Sequence, residues 1–408
     1  MESSRRDFLR TSAVTSVAAA SAARVLGAND RIRIAVVGTG GRGQYLMKTL
    51  KKVAPEGFEF VAVCDVYDVR RAEAAKIAGT AVEQYVDYKQ ILARKDVDAV
   101  IVATPDHWHS AIAVDALNAG KDVYVEKPMV HFPDEGKAIV KAARANHRIL
   151  QVGMQGRGLP QFAEAKKKYI DSGIMGKVGM ARTWYTSNSG YVKEPPPDMG
   201  AKPPGLDWER WLGSRPKVAW DPMKYFSWYK SLAYGGGMIM GIAIHVLDTA
   251  HFWLGLQKPA SVVCGGGTYF YKDGRDTPDV VSFVADYPQE VCVTFHAECL
   301  TAPGVQTSAG VELRGTGGAL YGERYPPDPC FRYTPNTKFS KEPAEKVAGT
   351  PAMADNVVKN WLECMRDRKK PVGNEEEGYY SSVACYMASQ AYQKKTRILW
   401  SPAWDLPA

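Results

Sequence analysis

A histidine and an aspartate three residues apart, His245 and Asp248, form a pair in this 408-residue sequence that could carry chemistry. The segment 241–252 has helical periodicity, which predicts that both side chains lie on one face of a helix. A carboxylate one turn from an imidazole orients the ring and supports its protonated form, so the pair is suited to proton transfer. A core histidine with a satisfied ring is the alternative interpretation.

A glycine-rich turn at residues 38–43 is suited to holding a phosphate group. It follows the apolar run 31–37, which predicts a buried strand, and it precedes a helical run. In this context Gly38 permits the tight turn, and Gly40 lets backbone amides approach a pyrophosphate. Gly43 then lets the helix pack closely on the strand.

A carboxylate follows the second predicted strand, residues 58–64, at Asp65. In a dinucleotide-binding unit a carboxylate at this place binds both ribose hydroxyls of an adenosine and repels a 2′-phosphate. A cap for the helical segment 66–78 is the alternative role. Arg70 and Arg71 follow one turn later and could accommodate NADP, so the sequence favours NAD and keeps NADP as an alternative.

The alternation of strands and helices continues through a strand before residue 104, a helix at 107–118 and a strand at 122–125. This pattern predicts a doubly wound parallel sheet. Ligands of such sheets bind where the strands end at their carboxyl termini. Three groups follow such ends and are expected to line one crevice: Asp65, Thr104-Pro105 and Glu126-Lys127-Pro128.

Five motifs make the chain resemble the Gfo/Idh/MocA oxidoreductases over roughly residues 31–400. They are Gly38-Thr39-Gly40-Gly41-Arg42-Gly43, Cys64-Asp65-Val66, Thr104-Pro105 with His109, Glu126-Lys127-Pro128, and Gly235-Gly236-Gly237 leading to His245 and Asp248. The resemblance implies that NAD is the cofactor. The residues expected to bind it are Gly38, Thr39, Gly40, Gly41, Arg42, Asp65, Val66, Thr104, Pro105, His109, Glu126, Lys127 and Gln155.

The same resemblance implies that Lys127 is the catalytic lysine, meeting the substrate hydroxyl and the nicotinamide, and that His245 is the acid/base residue. The chemistry agrees, because loss of hydride from a carbinol carbon also requires a base for the hydroxyl proton, and a nearby cation lowers the pKa of the alcohol. Family members often carry an Asp four residues before the histidine, where this chain has Gly241. Activity then rests on Lys127 and His245 alone, rests on a carboxylate from elsewhere, or is lost.

A second domain is predicted from residue 153 to 400, after a Rossmann domain at 29–152. Its helix at 161–172 is followed by strands joined by short turns, which predicts an α+β domain with a large, mainly antiparallel sheet. The strands are predicted at 176–189, 261–270, 280–287, 290–298 and 311–314. Helices at 356–366 and 375–394 are expected to pack back on the body of the protein.

Aromatic residues are dense between positions 208 and 229. Aromatic faces stack on the C–H face of pyranose rings, so this segment could wall a sugar site, with ordinary loop packing as the alternative for each ring. The expected substrate contacts are Lys127, Arg157, Tyr185, Trp228, His245 and Asp248.

Charge and cysteine usage exclude several classes of protein. The net charge is +8, but Lys and Arg are scattered among acidic residues and form no stripe that could follow a nucleic-acid backbone. The seven Cys include no C-x-x-C pair, although one disulfide is compatible with an oxidising compartment. His107 and His109 lack a further cluster of metal ligands, so no metal is predicted.

Residues 1–28 resemble a twin-arginine signal, with Arg5-Arg6 ahead of a mild apolar run at 11–20 that is too short to span a bilayer stably. A disordered basic tail is the alternative. The signal predicts export of the folded protein to the periplasm, with no membrane partner afterwards. A homo-oligomer, either a dimer or a tetramer, is also expected.

The sequence therefore predicts an NAD-dependent oxidoreductase that acts on a hydroxyl or keto group of a sugar, glycoside or polyol and holds its cofactor tightly. One alternative is an NAD-dependent glycosidase that oxidises C3 transiently, eliminates the aglycone and restores the alcohol. The other is a non-catalytic nucleotide-binding sensor or pseudoenzyme, which is favoured by Gly241 because this residue supplies no carboxylate.

Overall fold

A computed structural model of the chain describes residues 31–79, 82–187, 195–196, 198–299, 308–325, 328–350 and 354–407. The predicted twin-arginine segment lies outside these residues. The described chain forms two sheets, each with its own buried core.

The first sheet has six strands, all parallel. They are β1 (Ile32–Val37), β2 (Phe58–Cys64), β3 (Glu83–Tyr85), β4 (Ala99–Val102), β5 (Asp122–Val125) and β6 (Leu150–Val152). The order β3-β2-β1-β4-β5-β6 is that of a doubly wound dinucleotide-binding sheet. The helices of this domain are α1 (Gly41–Val53), α2 (Asp68–Ala78), α3 (Tyr88–Leu92), α4 (His109–Asn118) and α5 (Pro133–Ala145).

The second sheet has nine strands in the order β14-β13-β12-β11-β7-β10-β9-β8-β15. They are β7 (Val178–Thr186), β8 (Ser261–Gly267), β9 (Val280–Tyr287), β10 (Val291–Glu298), β11 (Ser308–Gly315), β12 (Gly318–Glu323), β13 (Cys330–Pro335), β14 (Glu345–Ala348) and β15 (Ile398–Leu399). Neighbouring strands are antiparallel except for β7 and β10, which are parallel. The predicted fold class is confirmed.

The remaining helices pack on the two sheets or between them. They are α6 (Pro160–Ala165), α7 (Trp208–Leu212), α8 (Pro222–Phe226), α9 (Ile244–Leu254), α10 (Asp355–Asp367) and α11 (Glu375–Lys394). Burial alternates along β9, so one face of the large sheet is packed against helices while the other is partly exposed.

The two C-terminal helices join the domains. Trp361 of α10 is fully buried and packs in the core of the first domain. Along α11, Tyr379 and Val383 belong to the first-domain core, whereas Ala384 and Cys385 belong to the core of the large sheet. One helix therefore fixes both domains, and it thereby fixes the two walls of any cavity between them.

Two predicted helices are interrupted by wider turns. The helix predicted at 161–172 is α6 followed by the π-helical turn Lys166–Ile170. The helix predicted at 241–252 begins only at Ile244, after the π-helical turn Ile239–Ala243. Such single π turns widen the helix locally, and they often occur at functional sites.

Candidate functional site

A cavity of about 760 Å³ runs along the carboxyl ends of the parallel strands and is closed by residues of the second domain. Its size falls within the range of small-molecule and cofactor sites. The residues expected to bind the cofactor line it as a group, apart from Thr39: Gly38, Gly40, Gly41, Arg42, Asp65, Val66, Thr104, Pro105, His109, Glu126, Lys127 and Gln155.

The glycine turn has the close backbone packing that its sequence predicts. Gly38 has φ +85°, and a Cβ there would lie 2.5 Å from the backbone N of Thr104. A Cβ on Gly43 would lie 2.1 Å from the carbonyl oxygen of Gly38. By contrast, a Cβ on Gly41 would meet nothing within 4 Å. The turn is thus packed tightly against the backbone around Thr104. It is open toward the cavity at the N-terminus of α1, where an anion is favoured.

Asp65 is tied to the glycine turn. Its Oδ2 accepts a hydrogen bond from the backbone N–H of Thr39 at 2.8 Å, and its Oδ1 accepts one from the backbone N–H of Tyr67 at 3.0 Å. Burial raises the pKa of Asp65, while the positive charge of Arg70 and these hydrogen bonds oppose that rise. Each oxygen keeps a lone pair that a ribose hydroxyl can use.

Thr39 was expected to contact the cofactor, and this stays a prediction that its burial does not favour. Thr39 is completely buried and does not line the cavity. Its backbone N–H points at the Asp65 carboxylate, so it positions Asp65 instead.

Two further contacts hold the strand ends together. Glu126 Oε1 accepts a hydrogen bond from Arg42 Nε at 2.7 Å, which ties α1 to the end of β5. The ring of His109 lies between two carbonyl oxygens, with Nδ1 2.8 Å from Pro128 O and Nε2 3.0 Å from Thr104 O. His109 therefore fixes the loops after β4 and β5, and its ring nitrogens are not directed at the cavity.

Lys127 crosses from the first domain to the second. Its Nζ donates a hydrogen bond to the carbonyl oxygen of Gly241 at 2.7 Å. Burial lowers the pKa of Lys127, and the negative charges of Asp106 and Glu126 offset part of that effect. Gly241, where family members often carry an Asp, thus supplies its backbone carbonyl as the acceptor for Lys127.

His245 lies one turn after Gly241 and lines the same end of the cavity. Burial, together with the positive charges of Lys127 and Arg324, lowers the pKa of His245 well below its ordinary value. The imidazole is therefore neutral near pH 7 and able to accept a proton. Its Nδ1 has no hydrogen-bond partner in the described part of the chain.

Partnerless buried atoms on the cavity wall indicate that the site fits a polar ligand. Within the described residues, Thr104 Oγ1, Gln155 Nε2 and His245 Nδ1 lack partners, and all three residues line the cavity. Buried polar groups are normally paired in folded proteins. Together with the open glycine turn and the free lone pairs of Asp65, these atoms suit a dinucleotide with a hydroxylated substrate beside it.

Comparisons with known proteins agree with this geometry. The protein-family model GFO_IDH_MocA, described as "Oxidoreductase family, NAD-binding Rossmann fold", matches residues 32–154. The family model of the GFO/IDH/MocA C-terminal domain matches residues 210–321. Together they cover more than half of the chain. The protein belongs to the Gfo/Idh/MocA family. Its first domain is an NAD-binding Rossmann domain, as predicted.

Relatives of this Gfo/Idh/MocA protein include scyllo-inositol 2-dehydrogenase (NAD(+)) of Bacillus subtilis (strain 168), 28% identical over 56% of this chain and 55% of that protein. Levoglucosan dehydrogenase of Pseudarthrobacter phenanthrenivorans is 31% identical over 45% of this chain and 40% of that protein. The match spans about half the length of these relatives. A solved levoglucosan dehydrogenase in complex with NADH and levoglucosan superposes with TM-score 0.70 at 19% identity, covering 91% of this chain and 99% of that one, which establishes the fold.

Asp248 does not orient His245, contrary to the prediction. Its carboxylate is 1% exposed and is held by Arg157 Nη2 at 2.9 Å and Ser381 Oγ at 2.9 Å. Arg157 in turn pairs with Glu377 of α11 at 2.7 Å. The Asp248 side chain is therefore directed at Arg157 and α11, and His245 lines the cavity without it.

Three expected substrate contacts lie away from the cavity of this family member. Arg157 and Asp248 form an internal ion pair that holds α9 and α11 together. Tyr185 faces the covered side of the large sheet and packs in its core. The expectation that these three bind substrate stays a prediction that the internal contacts of their side chains do not favour. Lys127, Trp228 and His245 do line the cavity.

A clamp segment, residues 205–234, brings the dense aromatic residues to the cavity. Asp207 N donates to Val66 O at 2.9 Å, and Trp108 Nε1 donates to Trp211 O at 2.9 Å, so the first domain holds the segment at several points. The guanidinium of Arg70 lies 5.0 Å from the centroid of the Tyr225 ring. Cavity-lining residues of the clamp segment are Arg210, Trp211, Tyr225, Phe226, Trp228 and Tyr229.

Sequence reasoning missed several charged residues of the cavity wall, among them Asp106 and Arg324. Asp106 follows Thr104-Pro105 directly, so its place after a strand end was a signal that could have found it. Arg324 is fully buried, and its Nη1 donates to the carbonyl oxygen of His245. It follows β12, a strand that the sequence pattern did not predict, so no local signal pointed to it.

The described residues hold neither a metal-binding cluster nor a membrane-spanning helix. They contain no group of three or more His, Cys, Asp or Glu arranged to hold a metal ion. No helix in the described ranges has both the length and the apolar character needed to cross a membrane. The seven cysteines are all free thiols.

Proposed function

We propose that this protein is an NAD-dependent dehydrogenase that oxidises a hydroxyl, or reduces the matching keto group, of a sugar, glycoside or polyol. The observation that carries the proposal is the convergence of Lys127 and His245 from two domains on one end of the NAD cavity. The printed names of the relatives, inositol and levoglucosan dehydrogenases, support the substrate class.

The cofactor would be held by the glycine turn, Asp65 and the strand-end residues Thr104 and Glu126. When bound, NAD supplies the hydride acceptor. The Lys127 ammonium donates a hydrogen bond to the oxygen of the substrate hydroxyl and lowers the pKa of that hydroxyl. The neutral imidazole of His245 then accepts the hydroxyl proton.

The proposal is tested by incubating the pure protein with a panel of sugars, glycosides and polyols while nicotinamide absorbance and aglycone release are both recorded. A change in absorbance with a keto product supports the dehydrogenase. Release of aglycone without net reduction of NAD would instead identify the glycosidase. No change in absorbance and no release of aglycone, in protein that holds NAD, would favour the non-catalytic nucleotide-binding sensor.

We expect NAD(H) to remain with the protein through purification. The clamp segment is fastened to the first domain beside the glycine turn, so we expect these contacts to slow the release of a dinucleotide. Nucleotide extracted from native protein and identified by mass spectrometry should approach the molar amount of protein. An empty protein with weak affinity for added NAD would contradict tight retention.

Asp65→Asn should weaken NAD binding and reduce the preference for NAD over NADP. Asn keeps the shape and an amide oxygen for the Thr39 N–H but loses the charge, so about 1.5–3 kcal/mol of binding free energy should be lost. Calorimetric titration of both nucleotides measures the change. Asp87→Asn is the matched control, because Asp87 also lines the cavity but caps α3. An unchanged preference in Asp65→Asn would limit Asp65 to holding the turn.

The assembly and destination of the protein are also proposals. The partly exposed face of the large sheet, with Val284 and Leu399 among its exposed apolar side chains, suits a contact between copies of the chain. Light scattering of the pure protein tests this oligomer. Export to the periplasm by the twin-arginine route rests on Arg5-Arg6 and the apolar run that follows, and cell fractionation tests it.

A further inference from the structure

Lys127 is a buried cation with several other positive charges around it. Burial lowers its pKa, and Arg42 from α1 and Arg324 after β12 lower it further. His245 of α9 also faces it and is itself affected by the Lys127 charge. The hydrogen-bond acceptor at Gly241 is a neutral carbonyl. A buried charge is costly unless a counter-charge compensates it, so the carboxylates near Lys127 become decisive.

Two carboxylates act on Lys127, and one of them is already engaged. Glu126 forms an ion pair with Arg42 at 2.7 Å and also accepts a hydrogen bond from Tyr124. The negative charge of Glu126 is therefore largely compensated by Arg42 at the end of β5. The other is Asp106, and its negative charge is the largest influence that opposes the effect of burial on Lys127.

Asp106 lacks a strong cationic partner of its own. It lies in the turn Asp106–Trp108, lines the cavity and is 5% exposed. Among the described residues, the one basic side chain with a nitrogen within 4 Å of its carboxylate is His131, whose Nε2 lies 3.7 Å from Oδ2, a distance too long for a hydrogen bond. No lysine or arginine of the described chain forms an ion pair with it. Among the described residues, Asp106 therefore has no lysine or arginine in contact with its carboxylate, and Lys127 has no carboxylate in contact with its amine.

The sheet brings these two residues together. Strands β4 and β5 are parallel neighbours, with Val102 opposite Val125 at the last paired position. Asp106 and Lys127 follow within a few residues of those positions, so both leave the same edge of the sheet side by side. Both then line the same cavity.

We propose that Asp106 is a positioning residue whose carboxylate, supplied by the first domain, keeps the Lys127 amine protonated and directed at the substrate hydroxyl. The catalytic role of Lys127 rests on the proposed function, but the electrostatic effect of Asp106 on Lys127 does not. Gly241 needs no carboxylate side chain in this arrangement, because the counter-charge comes from the loop after β4.

The test measures how the reactivity of Lys127 depends on pH in the full-length protein. Reductive methylation labels the unprotonated amine, and peptide mass spectrometry reports the labelled fraction of Lys127 at each pH. Asp106→Asn is nearly isosteric and removes the negative charge. The midpoint of labelling should therefore move to lower pH by about one unit. Asp106→Glu restores the charge and should return the midpoint toward the wild-type value.

Asp87→Asn again provides the matched control, since it removes a carboxylate from another part of the cavity wall and should leave the Lys127 midpoint unchanged. Equal midpoints in wild type and a folded Asp106→Asn protein, with folding checked by circular dichroism, would overturn the proposal. An equal shift in Asp87→Asn would also overturn it.

A second measurement separates this inference from the proposed function. If a substrate is found, turnover of Asp106→Asn should approach a tenfold deficit at pH values above the labelling midpoints of Lys127, because one pKa unit changes the ratio of the two lysine forms by ten. The loss should grow as pH rises. If no sugar or polyol is turned over, the dehydrogenase proposal fails while the labelling midpoint still decides the role of Asp106.

Discussion

Replacing Lys127 by Met should lower turnover by about a hundredfold or more while NAD stays bound. Met retains the length and apolar packing of the side chain but cannot stabilise negative charge on the substrate oxygen. The hydrogen bond to Gly241 O is lost as well, yet that contact is not part of the cofactor site. Steady-state rates and the nucleotide content of the purified variant measure the two expectations.

Lys121→Met is the matched control for that experiment. Lys121 is also buried, and its Nζ donates to the carbonyl oxygens of Arg94 and Val97, but it lies outside the cavity. Its loss should reduce stability without changing turnover per folded molecule. Comparable rate losses in both variants would show that the effect of Lys127→Met is structural.

His245→Asn is the companion change, because Asn keeps hydrogen bonding but cannot accept and release a proton near neutral pH. In wild type the rate should fall as pH drops through the low pKa of His245, since the protonated ring is no longer a base. In Lys127→Met this acid limb should move to higher pH, because the Lys127 charge is one cause of the lowered pKa of His245. Wild-type rates in both variants, on a substrate that wild type converts, would refute the assignment.

Arg157→Met should lower the free energy of unfolding by about 3–5 kcal/mol with little effect on turnover per folded molecule. The change leaves the Asp248 carboxylate buried between α9 and α11 with Ser381 as its remaining partner among the described contacts. A buried charge that loses its partner destabilises more than the intact pair stabilises. Urea denaturation followed by tryptophan fluorescence measures the loss.

The double variant Arg157→Met, Asp248→Leu separates charge from packing. It removes both members of the pair, so it should recover part of the stability that Arg157→Met loses. If Arg157→Met instead unfolds normally but cannot bind substrate, the original prediction of a substrate contact is restored and the internal-pair interpretation fails.

Local patterns in the sequence were sufficient for the first domain. A buried strand, a glycine turn and a helix follow one another within residues 31–53, and the parallel topology then requires Asp65, Thr104 and Lys127 to meet at one sheet edge. Strand β9 and helix α11 also coincide with their predicted bounds, because their alternating or helical patterns extend over many residues.

The strands at one end of the second sheet carry weaker signals. Strands β12 and β13 have six residues and β14 has four, and none of them was predicted, because a short run gives little alternation to recognise. Arg324 follows one of these strands, so its place in the cavity could not be anticipated from the sequence.

Contacts between the domains were decided by tertiary structure alone. The sequence shows that His245 and Asp248 are three residues apart, but not that Arg157 and Ser381 hold the aspartate on the far side of α9. It shows Gly241 without a carboxylate, but not that Lys127 reaches its carbonyl oxygen. Periodicity and turn residues are local properties, whereas the partner of a buried charge depends on how distant helices pack.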